Sequence, residues 1–295
     1  MNYYNEIKTE IINNEITKKV KDYSKNKSDL NTYYNVGKLL SEAGKHYGEG
    51  IIKEYSKRLS KDLNKKYDIS TLNKMKKFYN LIKKMATVSP KLSYSHYVEL
   101  LSYNDINKIN YYIKISEEQN LSVRELRTKI KNNEYERLDN KTKEKLKENK
   151  INNEVIDYIK NPILINNKNN YNQISEKMLQ KIILDDIESF LKELGSCFSF
   201  IGSEYKIKIG DRYNYIDLLL FNYEFNCFVV VELKVTELKK EHIGQIEVYM
   251  NYIDNNLKKV TQDKTIGIII CKKDNKFIIE YASDKRILSK EYQLN

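Results

Sequence analysis

Apolar positions in the first half of the chain recur every three or four residues, the spacing of one face of an α-helix. Val36, Leu39, Leu40 and Ala43 form one such run, and Ile51, Ile52, Tyr55, Leu59 and Leu63 form another after the turn Tyr47-Gly48-Glu49-Gly50. Lys65-Lys66-Tyr67-Asp68-Ile69 breaks the pattern, and Ser70 is placed to cap a helix carrying Leu72, Met75, Phe78, Tyr79 and Ile82. Helix, tight break and second helix is the order of a helix-turn-helix. Its second helix offers Asn73, Lys74, Lys76 and Lys77 to a groove, although the same four residues suit the solvated face of an ordinary bundle helix equally well. Pro90 ends this region, and Leu92-Ser93-Tyr94-Ser95-His96-Tyr97 opens another periodic stretch. Ser122-Val123-Arg124-Glu125 has the spacing of a capping box before a helix through Leu126 and Ile130. Residues 141–150 are charged with almost no apolar stripe, as in an exposed helix or a tether.

The second half changes period. One helix is expected over 174–194, with Leu179, Ile182, Ile183, Ile187, Phe190, Leu191 and Leu194 on a broad apolar face and Gly195 as its stop. Three β-rich runs follow, at 198–209, 213–221 and 227–235, the first two joined by the hairpin signal Gly210-Asp211-Arg212. A helix over about 239–256, a buried strand at 265–271, a short strand at 277–281 and a tail complete the pattern. The fold class is therefore an all-helical domain followed by an α/β domain with a mixed sheet. The expected boundaries are 1–150 for the helical domain, 151–173 for an Asn-rich linker and 174–295 for the α/β domain.

Composition narrows the function. No apolar run approaches the roughly 18 residues needed to span a bilayer, and the N-terminus has neither an apolar core nor a cleavage site, so a cytoplasmic protein without a membrane partner is expected. Of 295 residues, 52 are basic and 41 acidic, a net charge of +11. Only six of the basic residues are arginine, and the abundance of Lys, Asn, Ile and Tyr fits an AT-rich coding bias. Position is harder to explain that way. Residues 1–150 carry 32 basic and 20 acidic side chains, against 20 and 21 in 151–295, which points to two units with different tasks. Cys197, Cys227 and Cys271 fit neither a disulfide framework nor a metal spacing and are expected as small buried apolar residues. His46, His96 and His242 are isolated along the chain.

The candidate chemistry lies in two strands. Asp217 interrupts the apolar run Ile216-Asp217-Leu218-Leu219-Leu220, where a carboxylate is costly to bury without a cation or donors. The next strand reads Val231-Glu232-Leu233-Lys234, and strand alternation sends Glu232 and Lys234 to one face. Two carboxylates and the Leu233 carbonyl are hard oxygen donors suited to Mg²⁺, and Lys234 adds a cation that can orient water and offset charge on a phosphate. A cross-strand ion pair is an even competitor for this spacing. Gln245 and Tyr249, four apart, share one face of the following helix, and Glu188 sits at the border of the preceding helix's apolar stripe.

These segments, together with Gly244-Gln245 to Tyr249 and Phe190-Leu191-Lys192-Glu193-Leu194-Gly195, resemble the nuclease domain of the YhcG-type PD-(D/E)XK family. Tyr47-Gly48, Leu59-Ser60-Lys61-Asp62-Leu63, Leu72-Asn73-Lys74-Met75, the LSYSHY segment and Ser122-Val123-Arg124-Glu125-Leu126 resemble that family's N-terminal domain. The resemblance implies a restriction-endonuclease-like fold and a Mg²⁺-dependent endonuclease acting on DNA, with Mn²⁺ able to substitute. It implies metal ligation by Asp217, Glu232 and Leu233, a catalytic Lys234, and supporting roles for Gln245, Tyr249 and Glu188. It also implies a DNA-binding, helix-turn-helix-like N-terminal domain, for which Asn73, Lys74, Lys76 and Lys77 are the candidate contacts. Pairing into a homodimer is expected, because single-site nucleases commonly cut both strands that way. The alternatives are a catalytically inactive DNA-binding or partner-recruiting protein, and a nuclease for branched DNA or RNA. Two positions depart from the family pattern: Tyr94 stands where a Trp is usual, and Ser203-Glu204 where an Arg or Gln is.

Overall fold

A computed structural model of the chain describes residues 2–20, 25–85, 89, 91–147, 157, 159–171, 174–195, 197–282 and 284–295. Pro90, residues 148–150 and most of the Asn-rich stretch before 157 lie outside the described residues. The chain divides into two compact units, Met1–Tyr135 and Glu136–Asn295.

The first unit is helical: α1 (Tyr3–Val20), α2 (Lys25–Tyr47), α3 (Ile51–Asp62), α4 (Ile69–Met85), α5 (Tyr94–Leu100), α6 (Ile106–Glu118) and α7 (Val123–Lys131). Val36, Leu40, Leu59, Leu72 and Met75 are buried together, as their spacing predicts. Helix α2 crosses α4 so closely that a side chain at Gly37 would collide with the Met75 carbonyl oxygen, 2.2 Å away, which leaves glycine as the fitting residue. The break before α4 is capped by Asp68, not Ser70: the Thr71 N–H donates to Asp68 Oδ1 at 2.7 Å. The expected box at Ser122 forms, with Glu125 Oε2 accepting from the Ser122 N–H at 2.8 Å.

Tyr94 packs between Tyr33 (centroids 4.4 Å apart) and Phe78 (5.3 Å). Its hydroxyl is buried without a hydrogen-bond partner among the described residues, and burial raises its pKa. An unsatisfied buried hydroxyl costs stability while the ring provides the packing. Tyr94→Phe is therefore expected to stabilise the protein by roughly 1 kcal/mol, read as a rise in urea midpoint at unchanged slope.

The second unit contains α8 (Asn140–Lys147), β1 (Ile163–Ile165), α9 (Glu176–Asp185), α10 (Ile187–Leu194), β2 (Phe198–Ile209), β3 (Arg212–Asn222), β4 (Cys227–Glu237), α11 (Lys240–Asn256), β5 (Asp263–Lys273), α12 (Lys276–Glu280) and β6 (Ile287–Leu294). The six strands lie in the order β1-β6-β5-β4-β3-β2. Strands β1, β6, β5 and β4 run parallel to their neighbours, whereas β3 and β2 are antiparallel additions at one side, so the sheet is mixed. Leu179, Ile183, Phe190 and Leu194 of α9 and α10 pack with Leu218, Val231 and Leu233. Ile246, Tyr249, Met250 and Ile253 of α11 pack with Ile216, Leu219 and Val230. Two helical layers thus enclose the sheet.

Further expectations are corrected. The unit boundary falls after Tyr135 rather than at 150, because Arg137 pairs with Glu193 and its carbonyl accepts from the Asn161 N–H at 2.9 Å. The span expected as a 151–173 linker contains β1, an edge strand paired with β6. The 174–194 helix is broken at Asp186, whose φ of −142° leaves the helical region and whose carboxylate caps α10. Residues 277–281 are helical instead of extended, and the tail supplies the missing strand, β6. Cys227 and Cys271 are buried as expected, but Cys197 is partly exposed and donates to Glu224. Among the described residues no helix is long and apolar enough to cross a membrane.

Candidate active site

Antiparallel pairing of β3 with β4 runs from Asn222/Cys227 to Leu218/Val231 and stops there, while β4 continues against β5 through Lys234. The strands therefore fork at Asp217, and the fork is where the ionisable groups collect. Side-chain alternation slips at the same point: Ile216 packs with the α11 group, yet Leu218, two residues on, packs with the α9–α10 group. Asp217 occupies that irregular position, opposite Glu204, which has a φ of +45°.

Asp217 is held from two directions. Its Oδ2 accepts from the Leu233 N–H at 2.8 Å, a backbone donor freed because β3 and β4 have parted. Its own carbonyl accepts from the Gln180 amide of α9 at 2.9 Å. Burial pushes the Asp217 carboxyl up, opposed by the Leu233 N–H and by Lys234.

Glu232 is 2% exposed. Its Oε2 receives Lys234 Nζ at a long 3.4 Å, and its Oε1 is buried with no hydrogen-bond partner among the described residues. Burial first, and then the Asp217 charge, push its pKa up to about 8. A buried carboxyl serving only structure would have both oxygens hydrogen-bonded, since an unsatisfied buried polar atom costs stability. The orphaned oxygen, the Asp217 carboxylate beside it and the Leu233 carbonyl are hard oxygen donors of the kind that could hold a divalent cation. Among the described residues no group of three or more His, Cys, Asp or Glu side chains is arranged to hold a metal ion.

Lys234, 8% exposed, lies between Glu232 and Glu176 of α9, whose Oε2 is 3.8 Å from Nζ. Gln245 and Tyr249 form a pair on α11, the Gln245 amide donating to the Tyr249 hydroxyl at 3.2 Å. Glu188 is placed elsewhere. Its carboxylate is 78% exposed and bound to Lys192 on α10, a helix that packs against β1 and β2, whereas α9 packs against β4. The acidic helix residue at Lys234 is thus Glu176, and the sequence signal for it was the Glu176/Gln180 pair, four apart on one helix face. The break at Asp186 hid it, because a continuous helix made Glu188 look equivalent. His242 was also missed: it is buried at the start of α11, its Nδ1 accepts from the Lys239 N–H at 3.1 Å, and burial followed by Lys234 lowers its pKa.

In the first unit, Lys74 and Lys77 are exposed and Asn73 half-buried, but Lys76 is bound to Glu49 at 2.5 Å. A cleft of about 260 Å³ beside α4 is lined by Lys77, Asn80, Lys84, Tyr103 and Asn104.

Residues 156–295 match the YhcG PDDEXK nuclease domain, and residues 6–137 match the DUF1016 N-terminal domain. The chain belongs to the YhcG-type PD-(D/E)XK nuclease family. The first match ends two residues from the structural division at Tyr135, so family and fold separate the chain at the same place. Across 309 aligned residues the chain is 24% identical to the protein of Escherichia coli (strain K12) named "Putative nuclease YhcG", covering 89% of this chain and 82% of that one. A repair endonuclease from Pyrococcus abyssi matches at 15% identity and a TM-score of 0.29, covering 41% of this chain. EndoMS in complex with double-stranded DNA matches at 17% and 0.29, covering 43%. The chain spans about half the length of these two structures, 48% of each.

Proposed function

We propose that this YhcG-type chain is an endonuclease that hydrolyses DNA phosphodiester bonds with a divalent cation, Mg²⁺ with Mn²⁺ able to substitute, held by Asp217, Glu232 and the Leu233 carbonyl. The observation that carries the reading is the buried, unpartnered Glu232 Oε1 beside Asp217 at the β3–β4 fork. When bound, the cation polarises the phosphate and lowers the pKa of water.

The chain's own residues do the rest. Lys234 supplies a positive charge inside a nearly dry site, where it is worth more than in water, and steadies a water or a phosphate oxygen. Glu176 keeps the ammonium from collapsing wholly onto Glu232. The Leu233 N–H fixes the Asp217 carboxylate, and Gln180 fixes the backbone that carries it. Gln245, oriented by Tyr249, offers an amide donor to the phosphate. Because one such site cuts one strand, two paired copies would be needed to sever a duplex at once.

Supercoiled plasmid tests the reading. Conversion to nicked and then linear circles is expected with Mg²⁺ or Mn²⁺ and not in EDTA; cleavage that persists in EDTA would sink it.

The first unit is the proposed DNA-binding module, with Lys74, Lys77 and Asn73 as phosphate contacts. Residues 1–135 carry 26 basic against 16 acidic side chains, and the cleft beside α4 adds Lys84. Lys76, engaged by Glu49, contributes through the fold of that surface. Replacing Lys74 and Lys77 with Ala is expected to lower duplex affinity and to flatten the slope of log K against log salt by about 1.8, or 0.9 per lost phosphate contact. An unchanged slope in an anisotropy titration would make α4 an ordinary bundle helix.

A further inference from the structure

Strand alternation places Tyr213 and Tyr215 on one face of β3, with Ile216 turned into the core beneath α11 and the irregular position Asp217 next along the strand. The hairpin register pairs Tyr213 with Lys208 and Tyr215 with Lys206, so the two lysines share that face. The two-residue turn is set by Gly210, whose φ of +60° suits the first position of a II′ turn. The tyrosines are 56% and 53% exposed, and neither joins a buried cluster. Lys206 and Lys208 are exposed as well, and Lys206 Nζ stands 3.9 Å from the centre of the Tyr213 ring. A strip of two rings and two ammonium groups therefore runs along the hairpin, on the side of the sheet away from α11, and ends two residues before Asp217 at the fork.

We propose that this strip binds an unpaired DNA strand and leads it to Asp217, so that the substrates of this nuclease are DNAs with a single-stranded arm, such as flaps and forks. The inference rests on the nuclease reading above. Bases in a duplex already stack on one another, and their faces are closed to a protein ring; an unpaired base can stack on tyrosine while lysine holds the adjoining phosphate. Successive positions on one strand face are roughly 6–7 Å apart, so Tyr215 stands about one nucleotide and Tyr213 about two from a phosphate held at Asp217. The charge complement is confined to one face: the hairpin as a whole also carries Glu204 and Asp211, yet Lys206 and Lys208 stand beside the two rings.

The test uses the whole chain in EDTA, which removes divalent cations, with a fluorescent single strand and a blunt duplex of the same sequence. Replacing Tyr213 and Tyr215 together with Ala is expected to weaken single-strand binding about tenfold or more, with the salt slope preserved. Replacing both with Phe keeps the rings and should restore affinity to within about twofold, because stacking needs no hydroxyl. Replacing Lys206 and Lys208 with Ala should flatten the single-strand salt slope by about 1.4. In Mg²⁺, the ratio of cleavage rates for flapped over blunt DNA should exceed one for the wild type and fall toward one for the alanine pair. Wild-type single-strand affinity in the alanine pair, or an equal loss on blunt duplex, would overturn the proposal and leave the hairpin as a protein-docking edge. Failure of the nuclease reading is a separate result: no Mg²⁺-dependent product on any substrate, whatever the binding data in EDTA show.

Discussion

Replacing Asp217 with alanine is expected to lower Mg²⁺-dependent plasmid cleavage by about 10³-fold or more, and Lys234→Ala by about 10²–10³-fold. Asp217 is one of the two carboxylates proposed to hold the cation and is held by the Leu233 N–H, so its loss would remove that proposed ligand and also release a backbone donor. Lys234 is the only cation paired with Glu232 among the described residues, and its removal leaves Glu232 with neither partner nor counter-charge. Both variants should remain folded, because the surrounding leucines and valines of β3 and β4 stay packed. Circular dichroism and a retained cooperative thermal transition check this. Duplex affinity in EDTA should survive in both, since that property is assigned to the first unit. Cleavage at wild-type rates by either variant would remove the site assignment, and loss of duplex binding as well would show that the substitution had damaged more than the site.

The second large effect concerns Glu232 and pH. In the metal-free protein its pKa stands at about 8, against an ordinary 4.5, through burial and then the Asp217 charge. The folded state therefore keeps a proton that the unfolded chain gives up at much lower pH. Between about 4.5 and 8 the folded state binds more protons than the unfolded state, so this group's contribution to stability is complete below 4.5 and is lost as pH rises through 8. At roughly 1.4 kcal/mol per pKa unit, the full loss is up to about 4 kcal/mol. Glu232→Gln keeps the shape and cannot ionise. Its stability advantage over wild type, from urea unfolding in EDTA, is expected to grow from near zero at pH 5 to several kcal/mol at pH 9. Mg²⁺ should reverse the order at pH 8, because a cation that binds the folded state stabilises only the chain that retains its ligand. A pH-independent difference between the two proteins would show that Glu232 is ionised and already compensated in the metal-free fold.

The same residue shows why the candidate site was partly legible and partly hidden. Asp217 and Glu232-Leu233-Lys234 stood out because ionisable groups inside apolar strands need a physical reason. The extents of β2 and β4 and the hairpin at Gly210 were legible for a related cause, since period-two alternation and turn chemistry are local. Glu176 was not legible in that way. Its place beside Lys234 depends on which of two consecutive helices leans on β4, and that is settled by the break at Asp186 and the packing of Leu179 and Ile183. The tail was misread for the mirror reason: Ile287–Leu294 becomes a strand because β5 and β1 offer it partners on both sides, which no local pattern announces. Lys76 looked as available as Lys74 until Glu49, 27 residues away in sequence, was found bound to it.

By itself the sequence determined the helical and α/β halves, the uneven charge between them, and which residue types could hold a cation or a phosphate. Those properties follow from periodicity, composition and the cost of burying charge, all of which act over a few residues. The tertiary structure alone decided that β3 and β4 fork at Asp217, that Glu232 keeps an unpartnered oxygen there, that Glu176 and not Glu188 meets Lys234, and that Tyr213 and Tyr215 stand exposed beside Lys208 and Lys206. Each of these depends on contacts between segments far apart in the chain, where register and packing, and not local preference, set the outcome.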